Sequence, residues 1–159
     1  MAAQPTFRVV ASMNPYDNVG TTRLSTSVHD RICRLAIGYQ DAAAERGIVA
    51  LRAPLPGLIP ELYDRLVADA VAVTRATREH PDIRQGSSVR GAIDLTLVAG
   101  QLLGLRGHQD YPELVYDAMV VALSGRIFLD ETVEATPEAV LRQIWEDQFI
   151  LAPAAAAPG

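Results

Sequence analysis

The chain has no lysine; all 14 of its basic residues are arginine. A phosphate loop of the form G-x-x-x-x-G-K-[ST], whose lysine reaches the phosphates, therefore has no counterpart in these 159 residues. There is one cysteine, Cys33, which excludes an internal disulfide and leads us to expect a reducing, cytoplasmic setting. Apolar stretches are broken by Gly, Arg or Asp well short of the roughly 18 residues that a membrane-spanning helix needs, so no membrane insertion is expected. No basic segment followed by a long apolar one opens the chain, so no signal peptide is expected either. A general basic field is also missing: the net charge is −5, which argues against a nucleic-acid binder. The three histidines, His29, His80 and His108, are far apart and share no ligand spacing with Cys33 or an acid pair, so no metal site is expected. No Gly-x-Ser-x-Gly elbow marks a serine nucleophile.

What is present is a chain of two characters, with 49% hydrophobic residues to build a core. Phe7 to Met13 is nearly continuously apolar and ends in Asn14-Pro15, as a buried parallel strand does when it delivers a polar group at its carboxyl end. Asn14 to Gly20 is turn chemistry. Ser25 is a plausible cap for a short helix to Asp30. From Ile32 to Tyr39 apolar and other residues alternate, which predicts a second strand. The gap between them leaves room for a crossover, so the two strands are expected to be parallel neighbours. Two strands do not stand alone, so their sheet partners are expected to lie outside the sequence, with apolar surface exposed on the first forty residues.

Beyond this point the periodicity is helical. Helices are predicted over Asp41–Leu51, Pro60–Glu79, from Ser87 or Ser88 to Leu105, over Pro112–Ser124, and from the Thr136-Pro137-Glu138 start to Asp147. Leu62, Leu66, Ala70 and Val73 share one face of the second; Val140, Ile144 and Trp145 form the packing face of the last. Arg126–Leu129 is expected to be extended. Trp145 and Tyr111 read as packing residues. Met1–Thr6 and Ala152–Gly159 are expected to be disordered.

Three residues are candidates for chemistry on a phosphate. Asn14, at a strand end, either orients a water or phosphate oxygen or simply caps the turn at Pro15. Arg31, after Asp30, either stabilises charge on a phosphoryl group from a neighbouring subunit or pairs with Asp30. Arg23 is a second candidate in the same loop. Arg90 lies in the first turn of a helix, where the macrodipole disfavours a cation. It either meets an anion there, together with backbone N–H groups, or faces solvent at a small cost.

Phe-Arg-Val-Val-Ala-Ser-Met-Asn-Pro (7–15), Leu-Ser-Thr-Ser-Val-His-Asp-Arg (24–31) and His-Pro-Asp-Ile-Arg-Gln-Gly-Ser-Ser-Val-Arg-Gly-Ala-Ile (80–93) resemble the carboxyl-terminal half of MoxR-family AAA+ ATPases. The resemblance runs from about Phe7 to Trp145. It implies an α/β fragment, the last parallel strands of a P-loop AAA+ core, followed by an all-α lid domain. Asn14 then corresponds to the sensor-1 asparagine, Arg31 to the arginine finger and Arg90 to the sensor-2 arginine. The expected organisation is 1–38 core part, 39–58 helix and linker, 59–150 lid, and 151–159 tail. The family uses ATP and Mg²⁺, forms rings that are usually hexameric, and remodels partners that often carry von Willebrand factor A domains. Two features depart from its pattern: Thr22 to His29 lacks the commoner Leu-Pro-Glu form, and His108 stands where arginine is usual. Walker A and Walker B are absent, so the chain alone is expected to bind no cofactor and to hydrolyse no ATP, as from a truncated, split or deliberately cut gene. The alternative is a non-enzymatic helical adaptor that caps a partner ATPase.

Overall fold

A computed structural model describes residues 4, 6–12, 27, 30–107 and 110–151. The chain divides into two units, Met1–Ile37 and Gly38–Gly159. The expected disordered tail, the crossover and the short helix from Ser25 fall wholly or mostly outside the described residues.

In the first unit the two expected parallel strands do not form. Phe7–Ser12 and Cys33–Ile37 have no regular secondary structure. Their apolar side chains face outward: Val10 is 95% exposed, and Phe7, Val9, Leu35 and Ile37 are also exposed. The physical reason is the one that limits any lone extended segment. A strand is defined by hydrogen bonds to a neighbour, and the described residues offer neither segment one. The only described strands lie in the second unit, where Ile83–Gln85 (β1) and Phe128–Leu129 (β2) pair antiparallel, Ile83 opposite Leu129.

The second unit is helical, and its helices begin where their caps place them. α1 spans Ala42–Arg52; the Asp41 carboxylate accepts from Ala44 N–H at 2.8 Å. α2 spans Pro60–Glu79, with proline in the first turn, where its missing N–H costs nothing. α3 spans Val89–Arg106, capped by Ser88 and ended by Gly107 at φ 73°. α4 spans Tyr111–Leu123 and runs into a 3₁₀ turn over Ser124–Arg126. α5 spans Pro137–Glu146, with the Thr136 hydroxyl accepting from Ala139 N–H, and continues as a π turn over Asp147–Leu151.

α3 lies at the centre, packed against α1, α2 and α4; α5 covers α4 and α2. Val49, Leu66, Val73, Leu95, Val115, Met119, Leu123, Val140 and Leu141 are fully buried between them. Trp145 closes one end: it is 3% exposed and its Nε1–H donates to the Pro112 carbonyl at 2.7 Å. No described helix is long and apolar enough to cross a membrane.

Candidate functional site

The segment from His80 to Gly91 carries the Arg90 candidate and is held by a series of local hydrogen bonds. His80-Pro81-Asp82 stops α2: Ile83 N–H donates to the His80 carbonyl at 3.1 Å, and Asp82 N–H to its Nδ1 at 3.2 Å. β1 is then held against β2, and Asp130 N–H donates to the Asp82 carbonyl at 2.9 Å.

In Gly86-Ser87-Ser88-Val89-Arg90-Gly91, the two glycines and two serines each have a distinct local reason. Gly86 lies so close to the last turn of α2 that a Cβ would sit 2.5 Å from the Thr77 carbonyl oxygen and 2.7 Å from Arg78 Cα. Ser87 is buried; its N–H donates to Thr77 Oγ1 at 3.0 Å. Ser88 caps α3, accepting from Arg90 N–H at 3.4 Å, with Gly91 N–H on its carbonyl at 2.9 Å. A Cβ at Gly91 would meet the Ser87 hydroxyl at 2.2 Å and Leu123 Cδ2 at 2.6 Å, so glycine lets α3 sit against both. Arg90 is exposed, and no described residue forms a hydrogen bond or ion pair with its guanidinium. It is a solvent-facing cation at the positive end of an 18-residue helix, on a turn fixed from behind.

Behind the turn lies a buried ion cluster. Glu45 of α1 is 1% exposed and faces two arginines of α2. Arg75 Nη1 donates to Glu45 Oε2 at 3.0 Å and to the Gln40 carbonyl at 3.0 Å. Arg78 Nη1 lies 2.8 Å from Glu45 Oε1, an ion pair too poorly aligned to be a hydrogen bond, so Oε1 and Arg78 Nη2 have none among the described residues. Arg78 Nε–H donates to the Ser87 carbonyl at 2.7 Å, and its guanidinium stacks on the Tyr39 ring, 3.9 Å from the centroid. Charges this deep are tolerated only when paired, and here one carboxylate holds two cations, while a carbonyl and an aromatic face also meet Arg78.

The sequence predicted Arg90 and its serine cap but not Glu45, Arg75, Arg78 or Tyr39. A signal was present. Val71, Thr74, Arg75 and Arg78 fall at i, i+3, i+4 and i+7, on the stripe of α2 that also packs, and cations on a packing stripe call for a buried acid elsewhere.

The other candidates are placed less fully. Asn14 and Arg23 lie outside the described residues. Arg31 is exposed in a turn of the first unit, where its Nη1 donates to the Ser27 carbonyl and hydroxyl rather than pairing with Asp30.

A second polar cluster stands away from Arg90. The Tyr111 hydroxyl donates to Asp69 Oδ2 at 2.8 Å, and Arg65 covers the Tyr111 ring at 4.3 Å. Burial pushes the Asp69 carboxyl above its usual range, against the lowering by Tyr111 and Arg65. Burial, with Asp69 beside it, likewise raises the Tyr111 phenol. Among the described residues are two open grooves, one of about 430 Å³ lined by Arg46, Tyr63, Asp64 and Val67, and one of about 360 Å³ lined by Asp94, Leu97, Val121 and Arg126.

No protein-family model matches the chain, and no solved structure does. It is 28% identical over 166 aligned positions to the uncharacterized protein YeaC of Bacillus subtilis, covering 87% of this chain and 51% of that protein. It is 27% identical over 131 positions to the gas vesicle ATPase GvpN of Ancylobacter aquaticus, covering 82% of this chain and 34% of that protein. The chain thus spans about half and about a third of the lengths of these relatives. It is distantly similar to an ATPase.

Proposed function

We propose that the chain is the sensor and lid portion of an AAA+ ATPase of the MoxR type, acting on nucleotide whose phosphates other residues cradle. The observation that carries this reading is Arg90: a guanidinium without a partner among the described residues, in the first turn of α3, where a cation is locally unfavourable, on a turn braced by buried contacts. Such a choice makes sense where an anion arrives. The distant similarity to an ATPase supports the same reading.

The residues present fit contact with a phosphate but not the holding of a whole nucleotide. There is no lysine for a phosphate loop, and no described group of three His, Cys, Asp or Glu side chains is arranged to hold a metal. Bound nucleotide with Mg²⁺ supplies the phosphoryl group and neutralises part of its charge. Arg90 donates to a phosphate oxygen in its own protomer, and its rigid base keeps the guanidinium in place without reorganisation. Arg31 adds positive charge toward nucleotide held by a neighbouring protomer of a ring, and Asn14 orients the attacking water. Clients carrying von Willebrand factor A domains are part of the same proposal.

The test is ATP turnover. Purified residues 1–159 with ATP and Mg²⁺ are expected to show none. Joined to a phosphate-loop segment that completes the site, they are expected to turn over ATP, and Arg90→Ala to lower kcat about a hundredfold. Turnover by the 159 residues alone, lost in Arg31→Ala and Arg90→Ala, would refute the division of labour.

A further inference from the structure

Arg78 bridges two places that lie far apart in the sequence. One is the segment entering the helical unit, Tyr39-Gln40-Asp41, which leads into α1. The other is the Ser87-Ser88 turn that opens α3. Its Nε–H holds the Ser87 carbonyl at 2.7 Å and its guanidinium plane lies on the Tyr39 ring. Glu45 fixes the same group from α1, and Arg75, on the same carboxylate, holds the Gln40 carbonyl. The Arg78 side chain is only 10% exposed, whereas the Tyr39 residue is 56% exposed. Core packing therefore does not fix Tyr39; the guanidinium lies against its ring, so displacement of the entering segment acts on Arg78 as well as on Arg75.

We propose that Arg78 is a positioning residue: through the Tyr39 ring it senses the segment entering the helical unit, and through the Ser87 carbonyl it sets the turn that presents Arg90. The proposal rests on the reading of Arg90 given above, but its mechanical content does not need nucleotide. Arg78 touches no reacting group. It acts by fixing the carbonyl one residue before the α3 cap, so loosening it lets the cap and the first turn of α3 open without unfolding the bundle. A charge alone would serve the Glu45 pair; the stack on Tyr39 and the bond from Nε call for a guanidinium.

Residue-resolved amide hydrogen exchange on the full 159-residue chain tests this. The amides to follow are Ser87, Arg90 and Gly91, which donate to Thr77 Oγ1, Ser88 Oγ and the Ser88 carbonyl. Tyr39→Leu removes the π face at an exposed position and is expected to speed their exchange about threefold, the scale of an exposed cation–π contact. Tyr39→Phe keeps the ring and should restore wild-type exchange. Arg78→Lys keeps a charge beside Glu45 but loses the Nε–H bond, and should exceed the effect of Tyr39→Leu. In all three, amides within α4 and α5 should stay within about twofold, as expected for local rather than global opening. If Arg78→Lys fails to fold, the two Tyr39 variants decide the matter alone. Unchanged exchange at Ser87–Gly91 in Tyr39→Leu overturns the proposal, as does an increase shared equally by α4 and α5 or a failure of Tyr39→Phe to rescue. Because no nucleotide is present, these results stand whether or not Arg90 proves to contact phosphate, which the turnover measurement decides separately.

Discussion

Val10 and Leu95 are both aliphatic residues in apolar surroundings of sequence, yet one is 95% exposed and the other is fully buried. The difference is in what surrounds them. Leu95 sits on a helix whose backbone hydrogen bonds are all internal, so its segment needs neighbours only for packing, and α1, α2 and α4 provide them. Val10 sits in a segment whose apolar pattern suits a strand, and a strand needs neighbours for its backbone as well. The helical unit satisfies its own pattern; the described part of the first unit does not.

The sharpest way to break that contrast is to truncate both sides. Leu95→Ala is expected to destabilise the helical unit by about 2–5 kcal/mol, from lost burial plus the cavity left among packed helices. Val10→Ala should change stability by no more than about 0.5 kcal/mol, because its side chain is exposed. Denaturant unfolding measures both. Comparable losses would mean that the first unit has a core of its own.

A smaller effect sharpens the helical side. At Gly86 a methyl group would strike the backbone of α2, so Gly86→Ala should cost about 1–3 kcal/mol as overpacking against atoms that cannot rotate away. Gly104, in the exposed last part of α3, has open space where its Cβ would go. Gly104→Ala should stabilise by about 0.5–1 kcal/mol through helix propensity alone. Opposite signs in thermal unfolding would establish that the turn before Arg90 is built by close approach.

The smallest effect is in pH. Burial raises the Asp69 carboxyl in the folded chain, so the folded state holds that proton more tightly than the unfolded state does. Stability from this group is therefore lost, not gained, as pH rises from about 4 through its folded value. Asp69→Asn keeps an acceptor for Tyr111 and cannot ionise. Its stability relative to the unmodified chain should rise as pH climbs from about 4 to 7 in paired urea titrations. A pH-independent difference would put the Asp69 carboxyl in an ordinary, solvated setting.

Much of the helical unit was legible in the sequence because its punctuation is local. Asp41, Pro60, Ser88 and Thr136-Pro137 each act within one turn of where they stand, and the helices begin at them. β1 was not legible, since three residues after a helix stop carry no period; only pairing with Phe128–Leu129 makes them a strand. The parallel strands over Phe7–Met13 and Ile32–Tyr39 were read from a pattern that the described residues do not satisfy. Arg90 and its cap were visible as a local oddity of charge. The Glu45, Arg78 and Tyr39 cluster behind it joins residues 30 to 40 positions apart, and such a meeting follows from packing, not from spacing.

The contrast between the two units can be read with one protease, because every basic residue is an arginine and trypsin therefore samples only these 14 positions. Arg31 and Arg34 are exposed in segments without helix or strand, whereas Arg65, Arg75, Arg78, Arg106 and Arg142 lie within helices. Limited tryptic digestion followed by mass spectrometry and thermal unfolding of the surviving fragment is the most direct measurement. The account predicts first cuts at Arg31 and Arg34, leaving a resistant fragment from about residue 35 that keeps the unfolding transition of the whole chain. Equal resistance on both sides of residue 38, or early cuts inside α2 and α3, would contradict it.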